Sequence, residues 1–219
     1  MNRCRLHACV FLILLAGFAG VCPAADATAP KAAEKTAIKA PATFDNLLTA
    51  YKLEVTAKAQ YDAFAVKADA EGYKGVAALF RATAASQDIL IQKRAGLIAK
   101  LGGNAPKVQP AIADVKSTQE NLASAAAAAI GGKNPLYPGF AQQAEAEKNT
   151  PAVYAFKGAM AAEKEYIKCF QQALADLNNW KAEGKTFAVC EVCAFLVMGA
   201  PPATCPVCAA PREKFRIVK

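Results

Sequence analysis

The chain is predicted to be mainly helical: a bundle of four long helices followed by a small cysteine-rich metal domain. Three observations carry this prediction. Alanine fills 52 of the 219 positions, and 54% of the residues are apolar against 20% charged. That composition favours packed helix over sheet or disorder. Apolar residues recur at helical spacing from about residue 43 to residue 180, punctuated by capping and breaking residues. Near the C-terminal end, four cysteines stand as two Cys-x-x-Cys pairs, Cys190/Cys193 and Cys205/Cys208.

Residues 1–25 read as a secretory signal peptide. Arg3 and Arg5 precede an apolar run from Val10 to Val21, and Cys22-Pro23-Ala24-Ala25 supplies small residues for cleavage. The run is well short of the roughly 20 residues that span a bilayer. The chain is therefore expected to be exported to the periplasm, with no stable membrane insertion after cleavage. Arg3 and Arg5 are not adjacent, which points to the general export route and to metal acquired outside the cell. The sole histidine, His7, lies in this segment. A mature chain without histidine excludes Ser-His-Asp and Cys-His catalysis, and it excludes His-ligated zinc, copper and non-haem iron. Cleavage lowers the formal charge from +8 to +6. The lysines are spread without a dense basic block among aromatics, so the charge reads as solubility and no nucleic acid is expected as partner.

Residues 26–42 are rich in Ala, Lys, Pro and Thr and read as a flexible linker. The bundle is assigned to 43–182. Thr43 is placed as the cap of a first helix running to about Ala70, where Gly72 breaks it. A second helix is expected from about Lys74 to Leu101, stopped by Gly102-Gly103. The stretch 102–116 is long enough for a crossover. Ser117-x-x-Glu120 is a capping box for the third helix. Gly131-Gly132 and Pro135 should loosen or kink that helix. Thr150-Pro151 reads as an N-cap followed by proline at the first helical position, opening the fourth helix. There, Val153, Phe156, Met160, Glu163, Ile167, Phe170, Leu174 and Leu177 alternate at spacings of three and four, a seam for the bundle interior. Glu163 is the one charge on that seam. On the first helix Glu54 shares a face with Leu47, Tyr51 and Tyr61. A carboxylate on an apolar seam must be paired, protonated, hydrogen-bonded to a group such as tyrosine, or bound to metal.

Residues 183–219 form the cysteine domain. Two Cys-x-x-Cys knuckles can bring the thiolates of Cys190, Cys193, Cys205 and Cys208 to one tetrahedral centre, which suits zinc or a single iron. A segment this short has too little core to fold alone, so a metal cross-link is physically reasonable. Two disulfides are the alternative for an exported chain. Cys169 is left over as a helix-buried free thiol.

Phe187-Ala-Val-Cys-Glu-Val-Cys193 and Cys205-Pro-Val-Cys-Ala-Ala-Pro-Arg-Glu-Lys-Phe215 resemble the rubredoxin-like domain that ends a rubrerythrin. The helical part is similar to the same family. Asn46-Leu-Leu-Thr-Ala-Tyr-Lys-Leu-Glu54 and Glu71-Gly-Tyr-Lys-Gly-Val-Ala-Ala-Leu-Phe80 resemble its first two helices. Asn121-Leu122 and Tyr137-Pro138 resemble its third, and Ala162-Glu163 its fourth. The resemblance spans about residues 43–219. It implies a ferritin-like bundle with a di-iron carboxylate site that reduces peroxide with electrons from a rubredoxin-type Fe(Cys)4 centre, a redox protein partner, and pairing into a homodimer.

The departures are as informative. Such a di-iron site takes a Glu from each of two helices and Glu-x-x-His from each of the other two. Glu54 and Glu163 stand at family ligand positions as vestiges, while the remaining positions hold Gln87, Leu90, Ala129, Gly132 and Tyr166. Two carboxylates cannot neutralise and hold two irons. Tyr61 and Tyr137 match tyrosines near the family's metal site. The knuckles carry Ala194 and Ala209 where rubredoxins favour glycine at positive φ, at a cost of about 1 kcal/mol per site. Phe187, Phe195 and Phe215 retain the apolar packing. The resulting expectation is an exported electron-transfer protein with one iron at the Cys4 site and no confident catalytic residue. Two alternatives stand beside it. One is a zinc-stapled structural or partner-binding module. The other is a peroxide reductase, the oxidoreductase activity implied by the family, using a site remodelled around Glu54, Glu163 and Gln87.

Overall fold

The computed structural model describes residues 42–182 and 184–219. The segment read as signal peptide, with His7, Cys4, Cys9 and Cys22, and the linker up to residue 41 lie outside the described residues, while Ala42, expected to end the linker, is the first residue of α1. Five helices build the first part: α1 Ala42–Ala70, α2 Lys74–Lys100, α3 Thr118–Ala128, α4 Asn134–Ala146 and α5 Thr150–Ala175. A π-turn, Ala129–Lys133, joins α3 to α4. These two helices and the turn together make the third rod of a four-helix bundle. The interruption falls at Gly131-Gly132, where the lack of side chains leaves the backbone free to widen.

Local chemistry accounts for the helix ends. Gly72 and Gly102 sit at φ +79° and +84° after α1 and α2. The amides that follow return to the helices, Tyr73 N–H to Ala68 O and Gly103 N–H to Ile98 O, closing Schellman motifs. The Ser117 capping box is present, with Ser117 Oγ accepting from Glu120 N–H. Two expected caps move. Thr43 lies inside the first turn of α1, and the Glu147 carboxylate from the far end of α4 accepts from the Ala42 and Thr43 amides at 2.9 and 3.1 Å. Asn149, not Thr150, caps α5, accepting from Ala152 N–H. In both cases a side chain better suited to accept displaces a threonine that the helix absorbs.

The α5 seam is also rotated from its expected position. Val153, Phe156, Glu163 and Phe170 are buried, but Met160, Ile167, Leu174 and Leu177 lie at the margin. Ala159, Ala162, Tyr166 and Ala173 take the interior. Small residues let the helices approach closely, and the phenol rings of Tyr61, Tyr137 and Tyr166 help fill the remaining space. Tyr61, Phe64, Phe80 and Phe170 stack together, as do Tyr137, Phe140 and Phe156.

After a 3-10 turn, Leu177–Trp180, the chain forms a three-stranded antiparallel sheet: β1 Phe187–Cys190, β2 Leu196–Met198 and β3 Phe215–Val218, in the order β2-β1-β3. Phe187 pairs with Met198 on one side and Val218 on the other. The ring of Phe187 stacks on Trp180 at 6.4 Å. Phe187, Val189 and Leu196 join the bundle core, so the sheet packs on α2 and α5. No described helix is long and apolar enough to cross a membrane.

Candidate metal centre

The tight turns after β1 and before β3 bring Cys190, Cys193, Cys205 and Cys208 together. Their four Sγ atoms all lie within 4.8 Å of one another. Cys190 and Cys208 are 3.7 Å apart, and Cys193 and Cys205 are 3.6 Å apart. A tetrahedral centre with metal–sulfur bonds of about 2.3 Å requires sulfurs about 3.8 Å apart, so the spacing fits one metal ion. All four cysteines are free, which departs from the disulfide alternative. Ala194 and Ala209 adopt φ +70° and +58°, the conformation expected at the knuckles.

Backbone amides point at the sulfurs. Cys190 accepts from the Cys193 and Val192 N–H groups, Cys193 from Phe195 N–H, and Cys208 from Ala210 N–H. The thiols are also coupled to one another. Donation from the Cys193 thiol, with those two amides, pulls Cys190 down to about 5. The Cys193 thiol, as donor and buried, is raised. A thiophilic cation binding there displaces the thiol protons of the cluster. Cys190 and Cys205 are buried, whereas Cys193 and Cys208 are partly open.

A second polar cluster lies within the bundle. Glu54, Glu163, Gln87 and Arg94 are all fully buried. Tyr137 donates to Glu54 Oε1 at 2.9 Å, and Gln87 Nε2 donates to Glu163 Oε1 at 3.2 Å. Arg94 Nη2 is 3.1 Å from Glu54 Oε1. The guanidinium carbon lies 4.6 Å from the Phe156 ring centre and 5.7 Å from that of Tyr137. Burial, with the carboxylates nearby, raises the phenols of Tyr61, Tyr137 and Tyr166 well above their usual range. Leu90 belongs to this interior as apolar packing. Tyr166 points elsewhere, to Ser86. Cys169 is a buried free thiol pushed up to about 11 by desolvation.

Sequence reasoning missed two residues here. Arg94 follows Gln87 and Leu90 at helical spacing on the buried face of α2. The test that singled out Glu54 and Glu163, a charge on an apolar seam, would have found it. Ser86 carried no such signal, because a serine in an alanine-rich helix is indistinguishable by pattern.

Comparison with known proteins gives a consistent answer. The rubrerythrin family model matches residues 45–174, and the rubrerythrin rubredoxin-like domain model matches residues 189–216. Nigerythrin of Nitratidesulfovibrio vulgaris is 33% identical, with 83% of this chain and 88% of that protein covered. A rubrerythrin of Porphyromonas gingivalis is 30% identical, covering 83% of this chain and 92% of its own. The solved structure of fully reduced, all-ferrous nigerythrin superposes with a TM-score of 0.73 at 32% identity, over 85% of this chain and 90% of that one. A bacterioferritin of Desulfovibrio desulfuricans shares the bundle fold alone, at TM-score 0.59 and 16% identity over 64% of this chain and 82% of its own.

Proposed function

The chain belongs to the rubrerythrin family, and from that premise we propose that it is an exported electron-transfer protein whose working centre is one iron held by Cys190, Cys193, Cys205 and Cys208. The observation that carries this reading is the tetrahedral convergence of four thiols with amide N–H groups aimed at three of them. Iron bound there supplies a one-electron ferric/ferrous couple. Four thiolates give the oxidised centre a net charge of −1 and the reduced centre −2, so N–H donors favour the reduced state. The partly open Cys193 and Cys208 line a groove of about 780 Å³ between the knuckles and the ends of α2 and α5. Lys93, Lys100 and Lys157 stand along it. A redox protein meets the centre there.

The bundle, in this reading, has lost its di-iron site. The residues at the family's ligand positions do not fit the metal pair. Glu54 and Glu163 are the two carboxylates present, and Arg94 places a permanent cation against Glu54 where a metal would need that oxygen. Two metal cations and a buried guanidinium cannot share two carboxylates. The bundle then serves as scaffold for the Cys4 domain.

The test is metal content and absorption of mature protein produced with its leader intact in iron-replete cells. About one iron per chain, thiolate-to-iron charge-transfer bands and reversible bleaching by dithionite are expected. Two or three irons per chain would restore peroxide chemistry in the bundle. Zinc without redox response would move the protein to the structural or partner-binding class.

A further inference from the structure

The two knuckles of the Cys4 centre have different surroundings. Ala209 is exposed, whereas Ala194 is fully buried against the bundle. On that side α5 comes very close: a Cβ at Gly158 would lie 3.2 Å from the Cys193 carbonyl oxygen. From α2, the buried Ser86 hydroxyl donates to the Ala194 carbonyl oxygen. The Tyr166 hydroxyl, from α5, is bonded to the same Ser86 oxygen. Serine has one hydroxyl proton and a carbonyl can only accept, so the proton between the two hydroxyls comes from Tyr166. The Ala194 carbonyl belongs to the peptide unit whose N–H is that of Phe195, and that N–H points at Cys193 Sγ. A continuous chain of donors therefore runs from Tyr166 through Ser86 and the Ala194–Phe195 amide to the sulfur.

We propose that Ser86 and Tyr166 are positioning residues for the Cys4 centre, polarising the Ala194–Phe195 amide so that its N–H binds the Cys193 sulfur more strongly. A hydrogen bond accepted by an amide oxygen draws electron density from its nitrogen and makes the N–H a stronger donor. Linked hydrogen bonds in a dry interior reinforce one another, by about 10–30% per bond. The benefit is larger for the more negative reduced centre, so the relay raises the potential of bound iron. The second knuckle is an internal control. Ala210 N–H reaches Cys208 in the same way, yet among the described residues no side chain donates to the Ala209 carbonyl.

The inference about potential rests on the reading of the site as an iron centre; the relay itself needs only a filled Cys4 site. The experiment uses the full mature chain as wild type, Ser86→Ala and Tyr166→Phe. In zinc-loaded protein, proton NMR of the Phe195 and Ala210 amides reads the two N–H···S bonds separately. Ser86→Ala should move the Phe195 amide proton upfield and leave Ala210 in place, with Tyr166→Phe giving a smaller shift in the same direction. In iron-loaded protein, Ser86→Ala should shift the equilibrium with a fixed mediator about threefold toward ferric, which is about 28 mV at 59 mV per decade for one electron. An unmoved Phe195 amide, or equal shifts at both amides, overturns the relay. So does an iron-loaded variant with unchanged or raised potential. If the chain takes no iron while the Phe195 amide responds alone, the relay stands and the electron-transfer reading falls.

Discussion

Arg94 is the residue on which the bundle interior turns. Its guanidinium is wholly buried, 3.1 Å from Glu54 and over the face of Phe156. Arginine suits this place because it stays charged, is weakly hydrated and stacks on rings. Withdrawing the cation from a buried carboxylate should cost about 3–5 kcal/mol, so Arg94→Met is expected to lower urea stability by that order. The double variant Glu54→Gln/Arg94→Met should recover most of the loss, because replacing both members of a buried pair removes the uncompensated charge. A double variant no better than Arg94→Met would show that the residues do not act as a pair. Ala194 and Ala209 illustrate the same scale differently. Each spends strain at positive φ to place the next amide against sulfur.

At the scale of elements, carboxylates from distant helices secure helix starts. Glu71, at the end of α1, accepts from Thr118 N–H at 2.7 Å at the first turn of α3. Hydrogen bonds from Thr118, then from Lys67, hold its carboxyl down to about 2 from an ordinary 4.5. Glu147 holds the start of α1 in the same way, and its carboxyl is likewise lowered by hydrogen bonds from Thr43 and Gln143. A carboxyl lowered on folding contributes stability that is complete above its unfolded value and fades as pH falls through the folded one. The melting temperature should therefore drop between pH 4.5 and about 2, and Glu71→Gln should flatten that drop while lowering stability at pH 7. A Glu71→Gln profile parallel to wild type would remove Glu71 from the account. The break between α3 and α4 also belongs to this scale, since the π-turn Ala129–Lys133 falls at the Gly131-Gly132 pair.

For the whole molecule, the consequence is a bundle and a Cys4 sheet docked as one unit, with the knuckles facing a groove lined by three lysines. Opposite charges steer protein encounters, and salt screens them over about 8–10 Å. Reduction by an acidic electron-transfer protein should slow as ionic strength rises. Lys93→Glu/Lys100→Glu should slow it further at low salt, leaving reduction by dithionite unaffected. Salt-independent rates in wild type, or equal rates in the variant, would place the encounter elsewhere.

Much of this was legible in one dimension, because the governing interactions are local. Helical periodicity, the Ser117 capping box, the glycines after α1 and α2, and the spacing of two Cys-x-x-Cys pairs each depend on neighbours within a few residues. That locality is enough to specify a bundle, a metal knuckle and the family to which both belong. Thr43, Thr150 and the α5 seam came out differently because a competing partner or a packing angle decided them. Glu147 reaches α1 from about a hundred residues away, and which face of α5 is buried depends on how closely alanines admit its neighbours. The pairing of Arg94 with Glu54, and the contact of Ser86 with a knuckle 108 positions along the chain, exist only after folding. A serine on an alanine-rich helix meets the Cys190–Cys193 knuckle through tertiary contact alone, because a hydrogen bond is set by distance in space and not by position in sequence.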